Sequence, residues 1–103
     1  MSDLFQLAGK VAVVVGGAGE LCGAMAEGLA AVGATVVMAD RDAEKGPHRV
    51  ERIASAGGTA SFVACDATSK ESLRALLAEV VQKHARVDIL INGAGINSAR
   101  PFL

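Results

Sequence analysis

Four short stretches of this sequence carry glycine, acidic or amide residues, and each follows an apolar run. They are Val15–Gly19, Asp40, Cys65–Asp66 and Asn92–Gly95. The glycines of the first stretch permit a tight turn and a close backbone approach, and a helical pattern begins directly after them. A helix N-terminus suits a phosphate, and an acid after the next strand suits ribose hydroxyls. The types and spacing of these residues therefore predict a dinucleotide-binding site.

Alternating strand and helix patterns supply the frame for these residues. Valine-rich runs and helical spacing predict strands near 10–15, 34–39, 59–64 and 87–91, and helices near 20–32, 43–56 and 69–84. Pro47 places the regular start of the second helix near Gly46, because proline is best tolerated in a first turn. This order predicts an α/β domain whose parallel strands end at one common edge. The four stretches should therefore lie together.

Side-chain patterns add three local predictions. The apolar residues at helical spacing in the first helix are Leu21, Met25, Leu29 and Val32. Those expected to point inward from the third helix are Leu73, Leu76, Leu77, Val80 and Val81. Thr68 and Glu71 have the spacing of a capping box, which predicts Thr68 as the N-cap of that helix.

Composition narrows the class of protein. The chain has 103 residues, 51% of them hydrophobic, which predicts one domain with an ample core. A net charge of −1 gives no electrostatic reason to expect nucleic acid or an anionic membrane as a partner. The two cysteines, Cys22 and Cys65, are expected to be free thiols, and no metal-binding spacing occurs. The sequence shows no signal-peptide pattern or membrane-length apolar run, so we expect a cytoplasmic protein.

The glycine turn at 16–23, Asp40, Asp66 and Asn92–Gly95 after a Val-Asp-Ile-Leu-Ile run occur in one particular order. In that order they resemble the N-terminal half of a short-chain dehydrogenase/reductase, over essentially the whole chain. The resemblance implies a doubly wound Rossmann-type sheet with strand order 3-2-1-4, as one domain over 1–103 that is incomplete at its C-terminus. The turn also looks like that of fructuronate/mannonate oxidoreductases, which suggests a sugar or sugar acid as substrate.

The resemblance also implies which residues contact the cofactor. The turn would lie at the pyrophosphate, Asp40 at the adenosine ribose, Asp66 at the adenine and the last stretch beside the ribose. The candidate cofactor-binding residues are Gly16, Gly17, Gly19, Glu20, Leu21, Asp40, Arg41, Cys65, Asp66, Ala67, Asn92, Gly93, Ala94 and Gly95. Two of them depart from the family pattern, because Glu20 replaces a glycine and Gly93 replaces an asparagine.

Asp40 favours NAD over NADP, because a carboxylate accepts ribose hydroxyls and repels a 2′-phosphate. Arg41 works in the other direction, since arginine can serve a 2′-phosphate. Each acid also has an ordinary structural interpretation. Asp40 could be a solvated loop acid and Asp66 a turn acid before the third helix, while Asn92 could bond only to backbone.

The catalytic chemistry of the family needs a tyrosine as general acid/base, and this chain contains none. We therefore expect the cofactor half of an NAD-dependent oxidoreductase of alcohols or ketones, inactive alone. A stand-alone nucleotide-binding module and a methyltransferase-like domain are the alternatives. The fourth strand, 87–91, would be an edge strand of the sheet. Because an edge strand has unpaired main-chain groups, it predicts a homo-oligomer, or association with a chain that supplies the missing half.

Overall fold

The structure, a computed structural model, describes residues 6–16 and 19–93. In chain order its elements are β1 (Val11–Val15), α1 (Glu20–Ala31), β2 (Thr35–Asp40), α2 (Lys45–Ser55), β3 (Thr59–Ala64), α3 (Lys70–His84) and β4 (Ile89–Asn92). Within the described residues the strands form one parallel sheet in the order β3-β2-β1-β4. The α/β class and the strand order are therefore confirmed.

The valine-rich strand β1 is buried along its whole length because helices cover both faces of the sheet. Ala12 and Val14 pack on the side of α1 and α2. Val11, Val13 and Val15 pack on the side of α3. A strand that buries both faces needs a continuous apolar run rather than an alternating one, and this explains the pattern that identified it.

Helix α1 faces the sheet mainly with small residues, and of the apolar residues at helical spacing Leu29 packs against the core. Leu21 is 58% exposed and Met25 is 38% exposed. The buried residues of the helix are Cys22, Gly23, Ala26 and Ala30. Because these side chains are small, the backbone of α1 can approach the sheet and α2 closely, which the larger side chains would prevent.

Helix α3 follows the expected pattern at Leu76 and Val80, which are buried, whereas Val81 is 52% exposed. Its N-cap was wrongly predicted. The cap is Ser69, whose hydroxyl oxygen accepts the main-chain N–H of Ser72 at 3.1 Å. Thr68 instead bonds back to Asp66, so the capping position lies one residue later than the sequence spacing indicated.

Helix α2 begins at Lys45, one residue before the expected start. The Asp42 carboxylate accepts the N–H groups of Glu44 and Lys45 at 2.9 and 2.8 Å. An acid at the start of a helix satisfies these otherwise unbonded donors and complements the helix dipole. The connection from β2 to α2 is therefore held by the side chain of Asp42, which belongs to it.

At the amino ends of the strands, Asp88 joins β4 to β1. Its carboxylate accepts the Val11 N–H at 2.8 Å and pairs with Arg86 at 2.7 Å. The hydrogen bond from Arg86, together with that from Val11, holds the pKa of Asp88 below its usual range. Regular pairing of β4 begins at Ile89 rather than at 87.

Candidate functional site

Main-chain hydrogen bonds extend past the carboxyl ends of the central strands. The N–H of Gly16 donates to the carbonyl of Ala39 at 2.7 Å, and that of Gly93 donates to the carbonyl of Val15 at 2.9 Å. The loops that follow β1 and β4 are therefore fixed to the neighbouring strand at their first residue. We call this side of the sheet, where the four strands end, the carboxyl edge.

The loop after β3 is fixed to β2 in the same way. The N–H of Cys65 donates to the carbonyl of Asp40 at 3.0 Å, directly after the last paired residues of the two strands. The carboxyl edge thus brings together four of the sequence-predicted site residues. The four are Gly16, Asp40, Cys65 and Gly93.

The glycine turn between β1 and α1 is described at its two ends. Gly16 has a φ of 85°, a left-handed conformation that favours glycine. Its carbonyl accepts the N–H of Gly19 at 3.1 Å, and α1 begins at the next residue. Gly17 lies outside the described residues. Only residues 16–19 therefore separate β1, at the centre of the sheet, from α1.

The N-terminus of α1 has Gly19 as its N-cap, with no side-chain hydrogen bond to cap the first turn. Glu20, the first residue of the helix, is exposed, and so is Leu21. The Glu20 side chain is therefore not buried in the turn. The first N–H groups of such a helix suit a phosphate group.

Asp40, half-buried at the end of β2, accepts the Asp42 N–H at 2.9 Å. Burial raises the pKa of the Cys22 thiol, and the negative charge of Asp40 raises it further. The thiol in the first turn of α1 is thus a buried neutral group and not an activated nucleophile. Arg41, the next residue, is exposed.

Asp66 follows β3 and is held by its own turn. Its carboxylate accepts the Thr68 N–H at 2.9 Å and the Thr68 hydroxyl at 2.6 Å. These two bonds hold the pKa of Asp66 below its usual range, and the positive charge of Arg41 lowers it further. Arg41 therefore acts electrostatically on Asp66, and it is the sequence neighbour of Asp40.

Ser72 is a site residue that the sequence did not reveal. Its hydroxyl oxygen accepts the Asp66 N–H at 2.9 Å, and the same hydroxyl lies 3.6 Å from the Cys65 sulfur as donor. Cys65 is buried, and Ala67 packs beside it. The one available signal was a serine in the first turn of the helix that follows an Asp, a pattern too common to be specific.

At the end of β4, Asn92 pairs in register with Val15 and is exposed. Gly93 follows it and is half-buried. The two other predicted residues of this stretch, Ala94 and Gly95, lie outside the described residues. The part of the stretch that is described thus lies beside the glycine turn, across the β1–β4 pairing.

A groove separates the N-terminus of α1 from α2, and we call it the α1–α2 groove. Its volume is about 420 Å³. It is lined by Gly19, Glu20, Glu44, Lys45, His48, Arg49 and Arg52. Four basic or potentially basic side chains and two acids thus line the same groove as Gly19.

Over residues 6–16 and 19–93, no group of three histidine, cysteine or acidic side chains could hold a metal ion. Among the same residues no helix is both long and apolar enough to cross a membrane. What the carboxyl edge offers is an uncapped helix terminus, two acids and fixed loop backbones, and this set is suited to binding.

Comparison with known proteins agrees with this geometry. Residues 10–103 match the short chain dehydrogenase family. The uncharacterized oxidoreductase UxuB of Bacillus subtilis (strain 168) is 48% identical over 92 residues, which are 89% of this chain and 33% of that protein. This likeness is consistent with the oxidoreductase subgroup to which the glycine turn was compared.

Two solved structures show the same fold. One is a metagenomic short-chain oxidoreductase in complex with NADP, with a TM-score of 0.79 and 38% identity over 82% of this chain and 38% of that one. The other is a 7α-hydroxysteroid dehydrogenase complexed with NADH and 7-oxo glycochenodeoxycholic acid, with a TM-score of 0.81 and 37% identity over 87% of this chain and 35% of that one. The chain thus spans between a third and two fifths of the length of these relatives.

Proposed function

Because this chain belongs to the short-chain dehydrogenase family, we propose that its carboxyl edge binds the adenosine and pyrophosphate part of NAD. In this proposal residues 1–103 are the cofactor-binding portion of an oxidoreductase. The observation that carries the proposal is the fixed position of Asp40 between the glycine turn and the loop after β3, tied to that loop by the bond from Cys65. A ribose between these loops meets a carboxylate, and its phosphates meet a helix terminus.

The pyrophosphate is assigned to the turn from Gly16 to Gly19 and the first turn of α1. Gly17 belongs to this proposal as part of the same glycine turn. The exposed position of Glu20 supports it, because a carboxylate in solvent opposes a nearby anion less than a buried one does. Leu21, also exposed, is assigned to the same surface of the cofactor.

The adenine is assigned to Asp66, with Cys65 and Ala67 against the ring. The Asp66 carboxylate is fixed by Thr68 and its main chain by Ser72, so the loop is preorganised for a planar ligand. Asn92–Gly95, which follow β4 across β1 from Asp40, are assigned to the side of the same adenosine ribose.

We assign NAD as the preferred cofactor, and NADP as the weaker one, on the basis of Asp40. A carboxylate accepts the ribose 2′- and 3′-hydroxyls and repels a 2′-phosphate. The family admits both cofactors, since one relative was solved with NADP and another with NADH. Preference in this chain therefore depends on a few side chains, among which Arg41 opposes Asp40.

Catalysis is assigned to residues other than these 103. A proton partner for hydride transfer is needed, and the family's tyrosine has no counterpart because the chain has no Tyr. With that partner supplied, the substrate would be a small alcohol or ketone, a sugar or sugar acid by the likeness of the turn. Both cysteines are buried free thiols, which suits a reducing compartment, and we assign the cytoplasm.

Calorimetric titration of the chain with NAD, NADP and S-adenosylmethionine tests the proposed function. NAD should bind most tightly, NADP about tenfold or more weaker, and S-adenosylmethionine not measurably. Binding of S-adenosylmethionine without NAD would overturn the assignment in favour of a methyltransferase-like domain. Equal affinity for NAD and NADP would overturn the role of Asp40 while leaving dinucleotide binding in place.

A further inference from the structure

Glu27, on the second turn of α1, holds two arginines of α2. Its Oε2 lies 2.9 Å from a guanidinium nitrogen of Arg49, and its Oε1 lies 3.4 Å from one of Arg52. Each oxygen of the carboxylate therefore faces a different arginine. Glu27 is not among the residues assigned to the cofactor, and these contacts need a separate explanation.

The Arg49 side chain reaches Glu27 across Gly23. A β-carbon at Gly23 would lie only 2.3 Å from the Cζ and Nε atoms of Arg49, so any larger residue there would displace the guanidinium. The side chain of Arg49 is only 16% exposed and that of Glu27 30% exposed. The guanidinium is thus held between Gly23 and Glu27. Both residues lie further along α1 than its N-cap, Gly19.

Arg49 and Arg52 both line the α1–α2 groove, which also reaches Gly19 in the glycine turn. The groove therefore begins where the pyrophosphate is assigned and continues along α2. Arginine side chains near the adenosine ribose are the groups that accommodate a 2′-phosphate. In this chain Arg49 and Arg52 line the groove that reaches Gly19, and both contact one carboxylate.

We propose that Glu27 is a specificity-determining residue, which keeps Arg49 and Arg52 from serving a 2′-phosphate and so disfavours the phosphorylated dinucleotide. This inference rests on the proposed function, because it assumes that the ribose lies at Asp40. Glu27 acts in two ways. It fixes the direction of the two guanidinium groups, and its negative charge offsets theirs toward any anion that enters the groove.

The test is the ratio of NADP to NAD affinity in Glu27→Gln, which keeps the side-chain shape and removes the charge. The affinity for NADP should rise about fivefold or more, and that for NAD should stay within about twofold, since both cofactors carry the pyrophosphate and only NADP adds a 2′-phosphate. Adenosine 2′,5′-bisphosphate and adenosine 5′-monophosphate should show the same contrast. Glu79→Gln is the matched control, because it removes the same charge from an exposed pair with Lys83 on α3.

Arg52→Gln in the wild-type background gives an independent test that does not rely on the folding of the Glu27 variant. Because Glu27 already holds Arg52, its loss should leave the NADP affinity unchanged within about twofold, whereas the same change in Glu27→Gln should remove part of the gain. A clear loss of NADP affinity in Arg52→Gln alone would overturn the inference. So would an unchanged NADP-to-NAD ratio in Glu27→Gln.

The two proposals fail in different ways. If the wild-type chain binds neither dinucleotide, the proposed function is wrong and the role of Glu27 is wrong with it. If the chain binds NAD and the ratio does not respond to Glu27→Gln, only the role of Glu27 is wrong. Thermal unfolding of each variant verifies that the compared proteins are folded.

Discussion

The hydroxyl oxygen of Ser72 accepts the main-chain N–H of Asp66 at 2.9 Å and so joins the first turn of α3 to the loop after β3. Ser72→Ala removes this acceptor and leaves a part-buried N–H without its partner. We expect the free energy of unfolding to fall by about 1 kcal/mol and NAD affinity to fall several-fold. Ser72→Thr keeps a hydroxyl and should restore much of both. Chemical denaturation and calorimetric titration measure the two effects, and an unchanged NAD affinity in a folded Ser72→Ala protein would contradict the positioning role.

Asp40→Ala tests the assigned ribose contact directly. Loss of the carboxylate leaves the ribose hydroxyls without their acceptor, and NAD binding should weaken by about 1–3 kcal/mol. NADP should weaken less, because the repulsion of its 2′-phosphate is removed at the same time. Titration with both cofactors measures the difference. Glu79→Gln on α3 is the control, because it also removes one negative charge. A parallel loss for both cofactors would argue against discrimination at Asp40.

The unexpected face of α1 predicts a contrast in stability between two leucines. Leu76 is 2% exposed in the core beneath α3, and Leu21 is 58% exposed. Leu76→Ala should lower the free energy of unfolding by about 2–5 kcal/mol, because it removes buried methyl groups and leaves a cavity. Leu21→Ala should change it by less than about 0.5 kcal/mol. Urea unfolding of the two variants decides whether the small residues of α1 are its buried face, since comparable losses would place Leu21 inside.

Asp88 predicts a loss of stability in acid. Its folded pKa is lowered by Arg86 and by the Val11 N–H, so the unfolded chain binds the proton more readily. The stabilising contribution is therefore present above the unfolded pKa of about 3.9 and is lost as the pH falls through the folded value. Asp88→Asn should flatten this dependence between about pH 6 and pH 3. Urea midpoints over that range measure it, with Glu51→Gln, an exposed acid of α2, as the control, and equal slopes in both variants would contradict the assignment.

Strand β4 predicts self-association. It pairs with β1 on one side, and among residues 6–16 and 19–93 no strand lies on its other side. Leu90 is 54% exposed, whereas Ile89 and Ile91 pack against the core of the α1 and α2 side. Such an outer strand can pair with the β4 of a second copy. Leu90→Lys should reduce association in sedimentation without unfolding the chain, and a wild-type chain that remains monomeric at high micromolar concentration would exclude it.

Glu51→Lys is the charge control for that experiment, because Glu51 is exposed on α2 and away from β4. It should leave the sedimentation profile unchanged. Ile89, although it lies in the same strand, is a poorer probe because a charge there would disturb the core that it contacts.

Much of the fold was accessible from residue patterns because burial and periodicity coincide there. Val11–Val15 is apolar at every position because both of its faces are covered. The glycine and polar residues at or just after the ends of the four strands meet at one edge because the strands are parallel. The strand order followed from the family resemblance of the motifs. In helix α1 the spacing of large apolar residues did not identify the buried face, because close packing selected Ala26 and Ala30.

The site was predictable only in part for a similar reason. Acids and glycines after strands are visible in a sequence, and Gly16, Asp40 and Asp66 lie where this reasoning expects. The supporting side chains were not visible. Ser72 bonds to the main chain of Asp66 six residues earlier, and Arg49 contacts Glu27 on another helix. Ser69 rather than Thr68 caps α3 because Asp66 had already engaged the Thr68 hydroxyl.

The main-chain bonds beyond the strand ends have a consequence for amide hydrogen exchange. Gly16, Cys65 and Gly93 belong to loops, yet their N–H groups are bonded to neighbouring strands. Their deuterium uptake should therefore follow the slow opening of the sheet rather than the fast fluctuations of surface loops. Exchange at these three amides therefore measures how rigid the carboxyl edge is without ligand.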